Sequence, residues 1–278
     1  MKIKILFALI ILASICTNTF AQNEETERNF EFRAVAEIGF LGILSNQIQF
    51  GNSGTYFNYQ KEGGQDVLYP VSRLSLELDF KKRNRLIFLY QPLRLESQVL
   101  LENDLIVDDL TFAANSNVKL LYNFPFYRVS YLRELAPNNK KFDFGIGASL
   151  QIRNTTITFE SGDGRLFRAN RNVGIVPIIK LFTRAQLGER SNIALEADGF
   201  YAPVSYLNGS SDEIVGAILD ASLRYGLQIN EPVSGFLNLR YIGGGAVGTN
   251  TDSKGPGDGY TKNWLNFITV SVGFVYEF

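Results

Sequence analysis

The last fifteen residues constrain the chain more than any other stretch. From Trp264 to Phe278 one alternate set reads Trp264, Asn266, Ile268, Val270, Val272, Phe274, Tyr276 and Phe278. The other reads Leu265, Phe267, Thr269, Ser271, Gly273, Val275 and Glu277. A repeat of two is the mark of a strand. One face is apolar with aromatics near both ends, and the other is small or polar through its middle.

The alternation recurs upstream. Leu74, Leu76, Leu78 and Phe80 oppose Arg73, Ser75, Glu77 and Asp79. Phe142, Phe144, Ile146, Ala148, Leu150 and Ile152 oppose Asp143, Ser149, Gln151 and Arg153. Val215 to Ile229 repeats it, with Asp220, Ser222, Arg224 and Gln228 on the polar side. In a soluble sandwich the polar face would meet water. In a transmembrane barrel it faces the lumen and lipid takes the apolar face. Aromatics at the ends of the apolar band suit the two lipid interfaces, and such strands must close because hydrocarbon cannot satisfy a free edge. Mean hydropathy is −0.02, and no run after residue 21 approaches the ~20 apolar residues of a spanning helix.

The start reads as a secretory signal peptide. Lys2 and Lys4 precede the apolar run Ile5 to Ile15, and Thr19-Phe20-Ala21 offers a small residue before the polar QNEETERN. Cleavage is expected after Ala21, leaving a short polar periplasmic segment over 22–30 and the barrel over 31–278. Lipidation at Cys16 is disfavoured because Ile15, not a small residue, precedes it. Cys16 is the sole cysteine, so the mature chain carries no disulfide. With 27 Lys and Arg against 28 Asp and Glu, no basic excess exists to bind nucleic acid.

Short polar turns at 81–84, 136–140, 188–190 and 230–232 alternate with longer Gly/Asn/Ser/Asp-rich stretches near 45–66, 98–113, 160–171, 203–213 and 244–262. With the short turns in the periplasm, this spacing predicts an all-β, antiparallel up-and-down transmembrane barrel of about ten strands. They fall near 31–44, 67–80, 84–97, 114–135, 141–159, 172–187, 191–202, 214–229, 233–243 and 263–278. Splitting at prolines would raise the number to twelve. Before Pro125 the apolar phase is Val118, Leu120, Tyr122 and Phe124; afterwards it is Tyr127, Val129 and Tyr131. Leu86, Phe88 and Tyr90 likewise give way to Leu93 and Leu95 around Pro92. Both changes read as a phase flip at a bulge.

The inward phase then collects the acids Glu37, Glu77, Asp79, Asp143, Glu196, Asp198 and Asp220 and the bases Arg33, Arg73, Lys119, Arg128, Arg153, Lys180, Arg184, Arg224 and Arg240. Ten strands enclose little more than the eight-strand lumen that side chains fill. A polar network plugging the tube is the first expectation, with a structural or surface-interaction role for the protein. The alternative is a narrow channel for small polar or anionic solutes.

The chain contains no histidine, which removes the usual general base or triad partner. Phospholipases, lipid A-modifying enzymes and omptin proteases of the outer membrane share the architecture but use a catalytic histidine as families. A carboxylate mechanism would need pairs such as Glu196/Asp198 or Glu77/Asp79, about 7 Å apart on one strand face. Pairs facing lumen arginines are more often structural, so no enzymatic activity is expected. Ser161-Gly162-Asp163-Gly164 and the 252–259 stretch lack the carboxylate density of a calcium loop. Gly243-Gly244-Gly245 follows a strand and precedes no helix, so it is no phosphate loop. No cofactor is expected.

The terminal Phe274, Tyr276 and Phe278 resemble the C-terminal signal of Gram-negative outer-membrane barrels. That resemblance implies insertion by the barrel-assembly machinery, and outer-membrane lipids as surroundings. Asn172 to Pro177 and Leu239 to Gly245 also resemble recurrent blocks in such barrels. The resemblance implies the fold and carries no residue-level function.

Overall fold

The computed structural model describes residues 30–136, 141–203, 214–250 and 257–278. The expected signal peptide and residues 22–29 lie outside them. Strand β1 (Phe30–Phe50) is followed by the two-residue β2 (Phe57–Asn58), then β3 (Tyr69–Phe80), β4 (Asn84–Gln91) and β5 (Arg94–Leu100). A small hairpin of β6 (Leu105–Val107) and β7 (Leu110–Phe112) precedes β8 (Asn117–Asn123) and β9 (Phe126–Glu134). Then come β10 (Phe142–Ser161), β11 (Phe167–Gln186), β12 (Ser191–Pro203), β13 (Val215–Gln228), β14 (Val233–Thr249) and β15 (Tyr260–Glu277).

Each long strand pairs antiparallel with its chain neighbours, and β1 pairs with both β3 and β15, so the sheet closes. β4 and β5 are two parts of one stave, and β9 and β8 are two parts of the next. The result is a closed barrel of ten strands. Phe30 and Phe278 lie at the same end, where the Phe278 amide donates to the Phe32 carbonyl at 3.0 Å.

The two prolines interrupt the ladder without changing its phase. The register Asn84↔Arg133 to Gln91↔Phe126 resumes unchanged as Arg94↔Asn123 to Leu100↔Asn117. Pro92 therefore sits opposite Pro125, and the Phe124 amide reaches the Leu93 carbonyl at 2.8 Å across the break. The expected phase flip is thus corrected. Inward residues stay inward through both prolines: Leu89, Gln91, Leu93 and Leu95 on one stave, and Val118, Leu120, Tyr122, Phe126 and Arg128 on the other.

What changes at the prolines is the surroundings. On β10 the outward face is apolar from Phe142 to Ile152, then becomes Asn154, Thr156, Thr158 and Glu160. An apolar span of that length fits the ~9–11 residues with which a tilted strand crosses a bilayer. Above it the outward residues of β5 are Arg94, Glu96 and Gln98, and of β1 Ser45, Gln47 and Gln49. The inward face inverts in the opposite sense, from polar below to apolar above. Below, the staves are apolar outside and polar inside; above, they form a water-facing β head with its own core. On β1 a real bulge between Ile43 and Ser45 accompanies the change, moving the inward set from Leu41 and Ile43 to Asn46, Ile48 and Phe50.

The head explains why strands outrun their predicted ends. β1, β10, β11, β14 and β15 continue above the lipid belt, and the expected 160–171 loop is a turn over 162–166 between β10 and β11. Gly244 and Gly245 allow this continuation on β14. A Cβ on Gly245 would lie 1.9 Å from the Asn263 carbonyl oxygen, and Gly244 adopts φ 154°. The glycine run thus serves close backbone approach.

Candidate functional site

All the sequence-predicted charges except Lys119 and Arg153 fall on the lower parts of the inward faces, where they meet opposite charges. Nearest the end that carries Phe30 and Phe278, Arg33 pairs with Glu77 at 3.1 Å and Asp79 at 2.7 Å. Arg85 joins them at 2.7 Å from Asp79 and 3.4 Å from Glu134. On the wall between β10 and β11, Arg184 holds Asp143 at 2.5 Å.

The centre of the lumen is a tighter cluster. Asp198 on β12 and Asp220 on β13 are direct cross-strand partners, and both are almost wholly buried, at 0% and 1% exposure. Two adjacent carboxylates repel unless a cation lies between them. Arg128 supplies it from β9, with Nη1 3.0 Å from each. Its Nε and Nη2 donate to Gln151 Oε1 at 2.9 and 2.7 Å, which fixes the guanidinium plane. Arg240 holds Asp220 at 2.5 Å, and Lys180 joins Glu196 and Asp198 at 3.0 and 3.1 Å. Glu37 accepts from Asn238 at 2.7 Å and Ser271 at 2.6 Å, with Arg224 at 3.9 Å. Arg73 lies 3.7 Å from Asp220 and donates to Gln91 at 2.8 Å. Taking an unpaired ion out of water costs several kcal/mol, on the order of the loss when a buried pair is broken, and this pairing offsets the cost.

Two placements differ from the sequence reading. Lys119 is not in the lumen: it sits on the outer face of the head, half exposed, 3.6 Å from Glu160. Its assignment assumed that the apolar phase always faces lipid, whereas Val118, Leu120 and Tyr122 point into the head core. Arg153 does point inward, but at the upper boundary of the polar tier, donating to Asn172 at 2.8 Å. Conversely, Arg85 and Glu134 belong to the network and escaped notice beside turns. Their phase, opposite to Leu86 and Phe88 and in step with Arg128, was the available signal. Phe274, Tyr276 and Phe278 all point outward, the last two rings packing edge to face at 4.9 Å.

The carboxylate pairs considered for hydrolysis are already occupied. Lys180 bridges Glu196 and Asp198, and Arg33 bridges Glu77 and Asp79. A general base needs a free carboxylate within reach of its proton, and these are engaged in ion pairs.

Above the charges the lumen is apolar and packed. Leu41, Leu95, Leu120, Phe112, Ile157, Phe159 and Phe267 are buried in one cluster. The first loop folds inward to join it: the Tyr59 amide donates to the Asn46 carbonyl at 2.8 Å, and Asn46 Nδ2 to Gln65 Oε1 at 2.8 Å. Tyr59 contacts Phe57 and Tyr122 edge-on at 5.2 and 6.1 Å. The β6–β7 hairpin covers the cluster through Thr55 N to Ile106 O at 2.9 Å and Asp108 N to Phe50 O at 3.0 Å.

The two glycine-rich acidic loops behave as turns. Asp163 Oδ1 accepts from Ser161 Oγ at 2.6 Å and from the Arg165 amide at 3.1 Å. Asp258 accepts from the Asn52 amide and side chain, both at 2.9 Å, and from the Tyr260 amide at 2.9 Å; residues 252–256 lie outside the described residues. Those amides hold the Asp258 carboxyl below the ordinary aspartate range. A lowered carboxylate pKa contributes order that is present above the usual value and lost as pH falls through the lowered one. Asp258→Ala is therefore expected to speed amide exchange at Asn52 and Tyr260 at neutral pH, and the wild type to show the same loss only in strong acid.

No family model matches the chain, and no curated protein matches it. Solved structures that align include the outer-membrane protease OmpT of Escherichia coli, at 11% identity over 93% of this chain and 99% of that one, TM-score 0.49. A FadL homologue of Pseudomonas aeruginosa aligns at 8% identity over 89% and 90% of the two chains, TM-score 0.38. Ail, the attachment invasion locus protein of Yersinia pestis, aligns at 8% over 89% and 99%, TM-score 0.33.

Proposed function

We propose that the protein is an integral outer-membrane barrel that conducts nothing and catalyses nothing, and works through its extracellular head. The observation carrying this reading is the two-tier lumen: a neutralised charge cluster closed from above by a buried apolar core. A solute would have to separate ion pairs and then displace packed aromatics. The polar outward face of the head, raised above the lipid belt, is the surface left for partners. Within this reading, the outward Phe274, Tyr276 and Phe278 serve recognition by the barrel-assembly machinery, and lipid surrounds the belt.

Purified protein in a planar bilayer is expected to show no steady unitary current steps. Reproducible steps whose size changes on Arg128 substitution would establish the narrow channel instead. Unboiled protein on a denaturing gel should migrate differently from boiled protein, as a closed barrel does.

A further inference from the structure

The barrel wall is incomplete in one place above the belt. β3 and β4 pair from Phe80↔Asn84 to Leu74↔Tyr90 and no further. Beyond that point β3 pairs only with β1, and β5 only with β8. The side chains of Arg73 and Gln91 tie the bottom of the gap. The pattern of backbone bonds shows which groups of β5 lack partners. Phe124 N donates to Leu93 O, and Leu101 N donates to Ser116 O at 3.0 Å, so the odd-numbered residues face β8. In an antiparallel ladder the even ones then point the other way. Arg94, Glu96, Gln98 and Leu100 therefore present their N–H and C=O groups to the gap.

A cleft of about 330 Å³ opens at the upper end of that edge, against Val99 and Leu100 and between the first and second loops. The loop braces the strand from inside, since a Cβ on Gly64 would come within 3.0 Å of Val99 Cγ1. The edge is thus braced on its inner side while Glu96, Gln98 and Leu100 stay exposed, in contrast to the short or covered edges by which most sheets avoid pairing. The cleft is acidic: Glu62, Asp66, Glu102 and Asp104 line it against Lys61. A second copy of this chain would bring the same acids face to face, whereas a basic strand would meet complementary charge.

We propose that the β5 edge, Arg94 to Leu100, binds an extended Lys- or Arg-bearing peptide segment of a partner protein as an added strand. This deepens the surface-interaction reading and rests on it.

The probe is a fluorescent Lys-Val-Lys-Val-Lys-Val-Lys peptide, with its Glu-for-Lys counterpart, titrated into detergent-solubilised full chain. The lysine peptide is expected to bind saturably, more weakly at high salt, and to slow amide exchange at Glu96, Gln98 and Leu100. Gln98→Pro removes one edge-facing N–H and leaves the β8 ladder intact; at least a tenfold loss of affinity is expected, with heat-modifiable mobility retained. If that variant does not fold, Asp66→Asn with Glu102→Gln is expected to weaken lysine-peptide binding several-fold at low salt. Equal binding of the glutamate peptide, unchanged exchange on β5, or no saturable binding would overturn the proposal. So would a self-association that Gln98→Pro abolishes without any peptide binding. None of these outcomes touches the absence of conductance, so the two readings fail separately.

Discussion

Replacing Arg128 with alanine is expected to destabilise the folded barrel by about 3–5 kcal/mol, the range for removing one partner of a buried ion pair. The reason is local. Asp198 and Asp220 are cross-strand neighbours with almost no exposure, and Arg128 Nη1 stands 3.0 Å from both. Without it, Lys180 and Arg240 still approach one carboxylate each, but nothing lies between the two acids. Urea unfolding in detergent micelles, followed by gel mobility, would measure the change. Adding Asp198→Asn and Asp220→Asn to the same variant should restore most of the loss, because the repulsion leaves with the charge. An Arg128→Ala barrel within about 1 kcal/mol of wild type, inside the spread of an ordinary point mutation, would show that the cluster is not held by this tie.

The second large effect tests the level at which the sheet changes surroundings. Ile146 and Thr158 both point outward from β10, one at the middle of the apolar belt and one above it. Ile146→Arg is expected to cost about 2–4 kcal/mol, the cost of a cation on the lipid face of a barrel near mid-membrane. Thr158→Arg should cost within about 0.5 kcal/mol, as a surface change in water does. Refolding into lipid vesicles, with urea midpoints for both variants, gives the comparison. Equal costs would mean that Asn154 to Glu160 are not outside the bilayer, and the head would lose its water-facing side.

Much of the barrel was legible because the lipid belt enforces a strict rule on the outward face. Leu74 to Phe80, Phe142 to Ile152 and Ile268 to Phe278 read correctly as strands with lipid on one side, and the ten staves followed from them. The polar tier was nearly as legible, since Arg33, Glu77, Asp79, Arg128, Lys180, Asp198, Asp220 and Arg240 stand opposite those apolar residues. The head was misread for one physical reason. Above the membrane the solvent outside is water, so apolar residues belong inside, and Leu93, Leu95, Val118, Leu120 and Tyr122 obey that rule instead. A change of solvent along a continuous strand looks, in sequence, like a change of phase. Lys119 was placed in the lumen by the same substitution of one cause for the other.

Alternation, with aromatics at the ends of the apolar faces, thus pointed to a closed antiparallel barrel, because period-two strands with an apolar face have no other way to satisfy their backbone in lipid. Only the tertiary structure decided where that lipid ends, since side-chain direction on either side of Pro92 and Pro125 depends on an unbroken register that no local pattern records. It also decided that Arg128 meets two aspartates from other strands, and that β5 keeps an unpaired edge. Both facts depend on which strands closure brings together and where β3 and β4 part.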